Sequence, residues 1–168
     1  MIEPAYVRTM ARYNTWQNSS LYAAAATLDD AARRQDRGAF FQSIHGTLCH
    51  LLWADQMWLS RFAGTPKPAV RIHESAGLMQ DWDDLVAKRQ AFDATITDWA
   101  DTLSPDWLAG DLTWFSGATQ REMSKPVGLL VTHMFNHQTH HRGQVHAMLT
   151  AAGAKPEDTD LMLIDAVR

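Results

Sequence analysis

The chain has 168 residues, 46% hydrophobic and 20% charged, which suits one soluble domain over residues 1–168 with length enough to enclose a core. Its net charge of −4 gives no basic footprint for nucleic acid, and no apolar run approaches the roughly 18 residues that would cross a membrane. A single cysteine, Cys49, excludes an internal disulfide and a Cys-rich zinc site.

The opening residues, MIEPAYVRTMARYN, are charged and lack the apolar core of a signal peptide, so a cytoplasmic protein is expected. Four long segments then carry helical periodicity. The first runs from about Tyr6 to Leu28, with Met10, Tyr13, Asn14, Gln17, Leu21, Ala24 and Leu28 on one stripe. The stretch LDDAARRQDRG breaks the pattern and ends at Gly38. The second helix spans about Phe41 to Phe62 and stops at Gly64, with Pro66 and Pro68 beyond. Its centre, TLCHLLWADQMWL, is apolar nearly all round, so a heavily buried helix is expected.

Residues 64–80 have the texture of a loop. The third helix is expected from Asp81 to Leu103, its stripe formed by Trp82, Leu85, Val86, Arg89, Phe92, Ile96 and Trp99. Ser104-Pro105 closes it and also suits the start of a short turn of helix. In LTWFSGATQREMSKP two β-prone pieces flank a turn at Ser116-Gly117, which predicts a small β-hairpin between the third and fourth helices. The fourth helix opens near Pro126 and ends at Gly153, and the LMLI run of the tail is expected to pack onto the body. Together these elements predict an all-α four-helix bundle with long connections. Seven Trp and eight Met suggest a core with large, irregular surfaces to fill, or a lined pocket.

Five of the eight histidines fall within residues 133–146, around the run MFNHQTHHRGQVH. With 100° per residue, the apolar stripe of Leu130, Val131, Met134, Val145, Met148 and Leu149 takes in His137 and His141. His133 and His140 lie near its edge, and His146 points elsewhere. A lone imidazole on an apolar face is ordinarily a hydrogen-bonded core residue. Two of them four apart, stacked on one face, can instead share a metal ion that satisfies both. A third ligand would come from the second helix, where His45, His50 and Cys49 all qualify and periodicity does not choose among them. The Glu of a His-Glu-x-x-His protease is absent. None of the four Glu residues precedes a His by three positions, so the carboxylate-rich di-iron pattern is absent too. An imidazole-rich site with few carboxylates favours zinc, nickel, copper or iron over magnesium or calcium.

The elements ARYNTWQNSSLY, SIHGTLCHLLWADQMWLSRF, HMFNHQTHHRGQVHAMLTAAG and DTDLMLI, in this order, resemble the DinB family of metalloenzymes over nearly the whole chain. The resemblance implies an up-down four-helix bundle and one divalent metal, with zinc or nickel expected, held by three histidines. Carried over by motif, these are His50, His137 and His141. Cys49 stands where an Asn is common in the family, and Trp53 lies in the same element. Both departures touch the pocket wall rather than the ligands. The wider superfamily implies thiol-dependent transfer on a small-molecule substrate, with a low-molecular-weight thiol as cosubstrate, and a homodimer. A non-catalytic structural or sensing bundle and a metal-dependent hydrolase are the competing readings, while the damage-inducible name finds no support for DNA binding in the acidic charge.

Four further residues are candidates for the surroundings of the site. Asp55 lies on the most apolar side of its helix and needs a partner, for which Arg142 is the candidate. It would either fix helix register or orient a ligand histidine. Asn14 is expected to hydrogen-bond between helices, and His140 to be solvated or to serve as a pocket acid or base.

Overall fold

The computed structural model describes residues 2–117 and 119–164. The helix ends follow local chemistry. The first helix, α1 (Pro4–Ala26), starts on a proline whose missing N–H would have been unpaired anyway. After it, α2 (Asp30–Arg34) is a short helix where the sequence pattern breaks, nucleated by Asp29 accepting from the Ala32 N–H. Ser43 caps α3 (Ile44–Ala63) by accepting from the Gly46 N–H, and Gly64 ends it in the left-handed conformation, φ 68°. The connection that follows contains a 3-10 turn, Ile72–Gly77, where a loop was expected.

Asp81 caps α4 (Trp82–Asp101), and Ser104 caps the short α5 (Pro105–Ala109). The expected hairpin is present. Strands β1 (Asp111–Ser116) and β2 (Arg121–Pro126) pair antiparallel, with Asp111 opposite Pro126 and Ser116 opposite Arg121. The last helix is α6 (Val127–Ala151). Among the described residues no helix is long and apolar enough to cross a membrane.

The four long helices form the bundle, and side-chain contacts give their directions. Tyr6 meets Phe135 and Tyr13 meets Arg142, so α1 and α6 run the same way. Asn14 bonds Asp93 while Tyr22 stacks on Trp82, so α4 opposes α1. Asp55 pairs with Arg89 and Phe62 stacks on Trp99, so α3 runs with α4. The order is therefore up, down, down, up rather than a strict alternation. A connection between parallel neighbours must return the length of a helix, about 30 Å for the 20 residues of α3. Residues 64–81 make that return along the outside of α3.

Three side chains at four-residue spacing on α3 hold this return segment. His45 Nε2 donates to the Met79 carbonyl at 2.8 Å and Trp53 Nε1 to the Val70 carbonyl at 2.8 Å. Between them Cys49 Sγ lies 3.5 Å from the Met79 carbonyl. The tail is held by backbone bonds more than by its apolar run. Tyr13 donates its hydroxyl to the Thr159 carbonyl at 2.6 Å, and Gln17 Nε2 donates to the Asp158 carbonyl at 2.9 Å. Of the LMLI run expected to pack onto the body, Ile164 does so, but Leu161 and Met162 are exposed.

Candidate metal centre

Because α3 and α6 are antiparallel neighbours, His50 faces His137 and His141, which stand one turn apart on α6. Nε2 of His50 lies 3.2 Å from Nε2 of His137, and one ring nitrogen from each of the three histidines falls within 4.8 Å of the others. His50 and His141 are buried and His137 is half-buried. Nδ1 of His50 is 2.8 Å from the hydroxyl of fully buried Ser75, in the 3-10 turn of the return segment. Nδ1 of His141 donates to Gln144 Oε1 at 2.7 Å, which leaves its Nε2 as a bare lone pair.

The Phe41 ring stacks on His50, with centroids 3.7 Å apart and planes 19° apart. Gly46 permits this. A Cβ there would stand 2.6 Å from the Phe41 carbonyl oxygen, so only glycine lets the turn before α3 close down.

Burial, and then the neighbouring imidazoles, push the His50 pKa down to about 3 and that of His137 to about 4; His141 is lowered too, by burial first. All three rings are neutral at pH 7 and can offer lone pairs. Nitrogens about 2.0–2.1 Å from one tetrahedral zinc would be about 3.4 Å apart, so the residues fit such an ion with a small closure of the third ring. The donor set contains no carboxylate.

His45 is not part of this set; it is spent on the return segment. The Cys49 thiol is fully buried and pushed up to about 11, far from a reactive thiolate. His140 is exposed, its ring 4.8 Å from that of His141, and His133 is exposed one turn before His137.

The expected Asp55–Arg142 pair is not formed. Asp55 Oδ2 accepts from Arg89 at 2.8 Å and Oδ1 from Gln138 Nε2 at 2.9 Å. Arg142 donates instead to Asn14 Oδ1, and Asn14 Nδ2 donates to Asp93 Oδ1 at 2.9 Å, as does Asn18. Arg89 also sits 2.9 Å from Asp93. A single buried polar network thus joins α1, α3, α4 and α6, with two aspartates balancing two arginines. Along α6 the centre of the buried stripe is taken by Gln138 and Arg142, 0% and 5% exposed, and the two histidines flank it toward α3. Arg89, Asp93, Asn18, Gln138 and Ser75 were not anticipated as partners. The available signal was Arg89, a charge on the apolar stripe of α4 with an aspartate four residues on.

The family model described as DinB family matches residues 1–166. The chain belongs to the DinB family. It is 25% identical over 149 residues to Protein DinB of Bacillus subtilis (strain 168), an overlap of 88% of this chain and 87% of that relative. Among solved structures, a DinB-like protein from Bacillus cereus ATCC 10987 superposes with a TM-score of 0.63 at 16% identity, over 86% of this chain and 91% of the other. That likeness shows a shared DinB fold and carries no residue roles.

Proposed function

We propose that this DinB protein is a metal-dependent enzyme that uses a low-molecular-weight thiol to transfer chemistry onto a small molecule, with His50, His137 and His141 as the ligands of one zinc or nickel ion. The observation that carries the reading is the convergence of three neutral imidazoles, two of them with Nε2 atoms 3.2 Å apart. A bound divalent ion would supply Lewis acidity and lower the pKa of a thiol. Three neutral ligands leave such an ion's charge uncompensated and coordination positions open, which suits an anionic sulfur.

The protein's own residues support this over hydrolysis. Among the described residues no buried carboxylate is free to act as a hydrolytic base, since Asp55 and Asp93 are committed to arginine and amide partners in the core. What remains beside the centre is imidazole: His133 and His140, both exposed and able to pass a proton to solvent. Ser75 and Gln144 orient the rings of His50 and His141 from behind.

Metal analysis of protein purified without chelator, combined with a thiol screen against an electrophilic acceptor, tests the proposal. One divalent ion per chain is expected, lost in His137→Ala and in His141→Ala with the helical fold retained, and metal-dependent consumption of thiol. A protein that cannot be loaded stoichiometrically overturns it. One that binds metal but consumes no thiol with any acceptor favours the structural or sensing reading.

A further inference from the structure

The hairpin folds back toward the C-terminal turns of α3 and brings Trp114 against Trp58, ring centroids 6.1 Å apart. The Arg61 guanidinium carbon lies 4.6 Å from the Trp58 ring and 5.6 Å from the Trp114 ring. Arg61 is half-buried, and among the described residues no carboxylate pairs with it. Contact with two indole rings attracts the cation but gives its N–H groups no oxygen to bind. A guanidinium carries five donors in a fork matched to a carboxylate, so this one is held in place with its recognition edge unspent.

The position of this cation is equally telling. The His133 ring packs edge-on against Trp58 at 5.2 Å and lies 6.0 Å from the ring of His137. Arg61, Trp58, His133 and His137 therefore form a continuous line from the hairpin to the histidine centre. Trp58, Arg61 and Trp114 are each partly open to solvent, so a ligand can reach them. An unpaired fork of donors beside two partly exposed indole rings suits a carboxylate attached to an apolar or flat carbon skeleton.

We infer that Arg61, with Trp58, Trp114 and His133, binds the carboxylate of the small molecule on which the histidine centre acts. Arg61 is then a specificity residue, and the substrate class is small organic acids. The link to reaction rests on the proposed metal function; the carboxylate subsite itself does not.

The test uses 4-phenylbutyrate and 4-phenylbutanol, which differ in charge at one end. Binding is followed by the indole N–H signals of Trp58 and Trp114 in isotope-labelled full-length protein, assigned with single Trp→Phe variants. Both zinc-loaded and chelator-treated samples are titrated. The acid is expected to bind at least tenfold more tightly than the alcohol in both samples. Arg61→Gln should erase that preference and Arg61→Lys should keep part of it, since the lysine retains charge but not the fork. The lysine variant also decides the matter if the glutamine variant misfolds, because a purely structural clamp on the hairpin would not discriminate acid from alcohol.

Equal affinities in the native protein, or a preference that survives Arg61→Gln, overturn the inference. So does acid binding seen only with zinc present, which would leave the metal reading standing. Arg61-dependent binding in a protein that takes up no metal would uphold the subsite and remove the proposed centre.

Discussion

Gln138, the residue after His137, donates to Asp55 across the bundle at 2.9 Å. One residue is 100° of rotation on a helix, so fixing Gln138 in the core fixes the direction in which His137 points. The same relation recurs a turn later, where Arg142 donates to Asn14 and sets the rotation of His141. The sequence His-Gln-x-x-His-Arg thus couples a ring-bearing face to a buried polar face.

Asp55 is the centre of that coupling, holding Arg89 with one oxygen and Gln138 with the other. Removing one partner of a buried ion pair strands the other, at a cost of about 3–5 kcal/mol. Asp55→Ala should lower stability in urea by that order, and Asp55→Asn by less, because it keeps the acceptor for Gln138 while Asp93 still faces Arg89. A loss below about 1 kcal/mol for the alanine variant would show that the network carries little of the fold's stability.

Acid should weaken the metal-free protein. An unfolded histidine titrates near pH 6.5, but burial and neighbouring rings hold His50 at about 3 and His137 at about 4 in the fold. Above pH 6.5 both states are neutral and stability does not depend on these groups. Below it the unfolded chain takes up protons that the folded chain refuses, so stability falls as pH drops from 6.5 toward 4. The melting temperature of chelated protein should decline through that window, and His137→Leu should flatten the decline. A flat profile in the native chain would contradict the burial of these rings. In loaded protein the same protons compete with the ion, so metal release should occur on acidification.

The long helices could be located from sequence because their apolar positions repeat every three or four residues and Gly64 and Gly153 mark where two of them stop. His137 and His141 were legible for the same reason, since both sit on one helix. His50 was not, because α3 is apolar around most of its circumference and local periodicity cannot say which face meets α6; the family resemblance supplied it. Asp55 stands out in the sequence as a charge that needs a partner, with Arg142 as the candidate, whereas the pair that forms is with Arg89 of the parallel neighbour α4. Helix directions depend on a return segment whose path is set by side-chain tethers such as His45 and Trp53, and those leave no periodic trace. Ser75 was hidden for that reason as well.

Ser75 offers a direct check on the return segment's part in the centre. Its hydroxyl is fully buried 2.8 Å from His50 Nδ1, where it fixes the ring's orientation. Partners of this kind typically contribute 10–100-fold to metal affinity. Ser75→Ala should therefore weaken metal binding by about tenfold in competition with a chromophoric chelator, with little change in the helical signal. Unchanged affinity would mean that Phe41 stacking alone orients the ring.

Gly46 tests that stacking. A methyl group there would stand 2.6 Å from the Phe41 carbonyl oxygen, which is backbone and cannot rotate away. Gly46→Ala must push the turn before α3 outward, moving the Phe41 ring off His50. Overpacking of this sort costs about 1–3 kcal/mol, partly offset by the better helix propensity of alanine. The site-specific consequence is exposure. His50 is now 3% exposed, beneath Phe41 on one face and beside Trp53 on another. In the alanine variant its imidazole should react faster with an acylating reagent, read by mass spectrometry of the peptide that contains it, whereas His45 should be unaffected behind Met79. Parallel acceleration at both histidines would point to general loosening of α3, and no acceleration at His50 would show that Phe41 does not shield it.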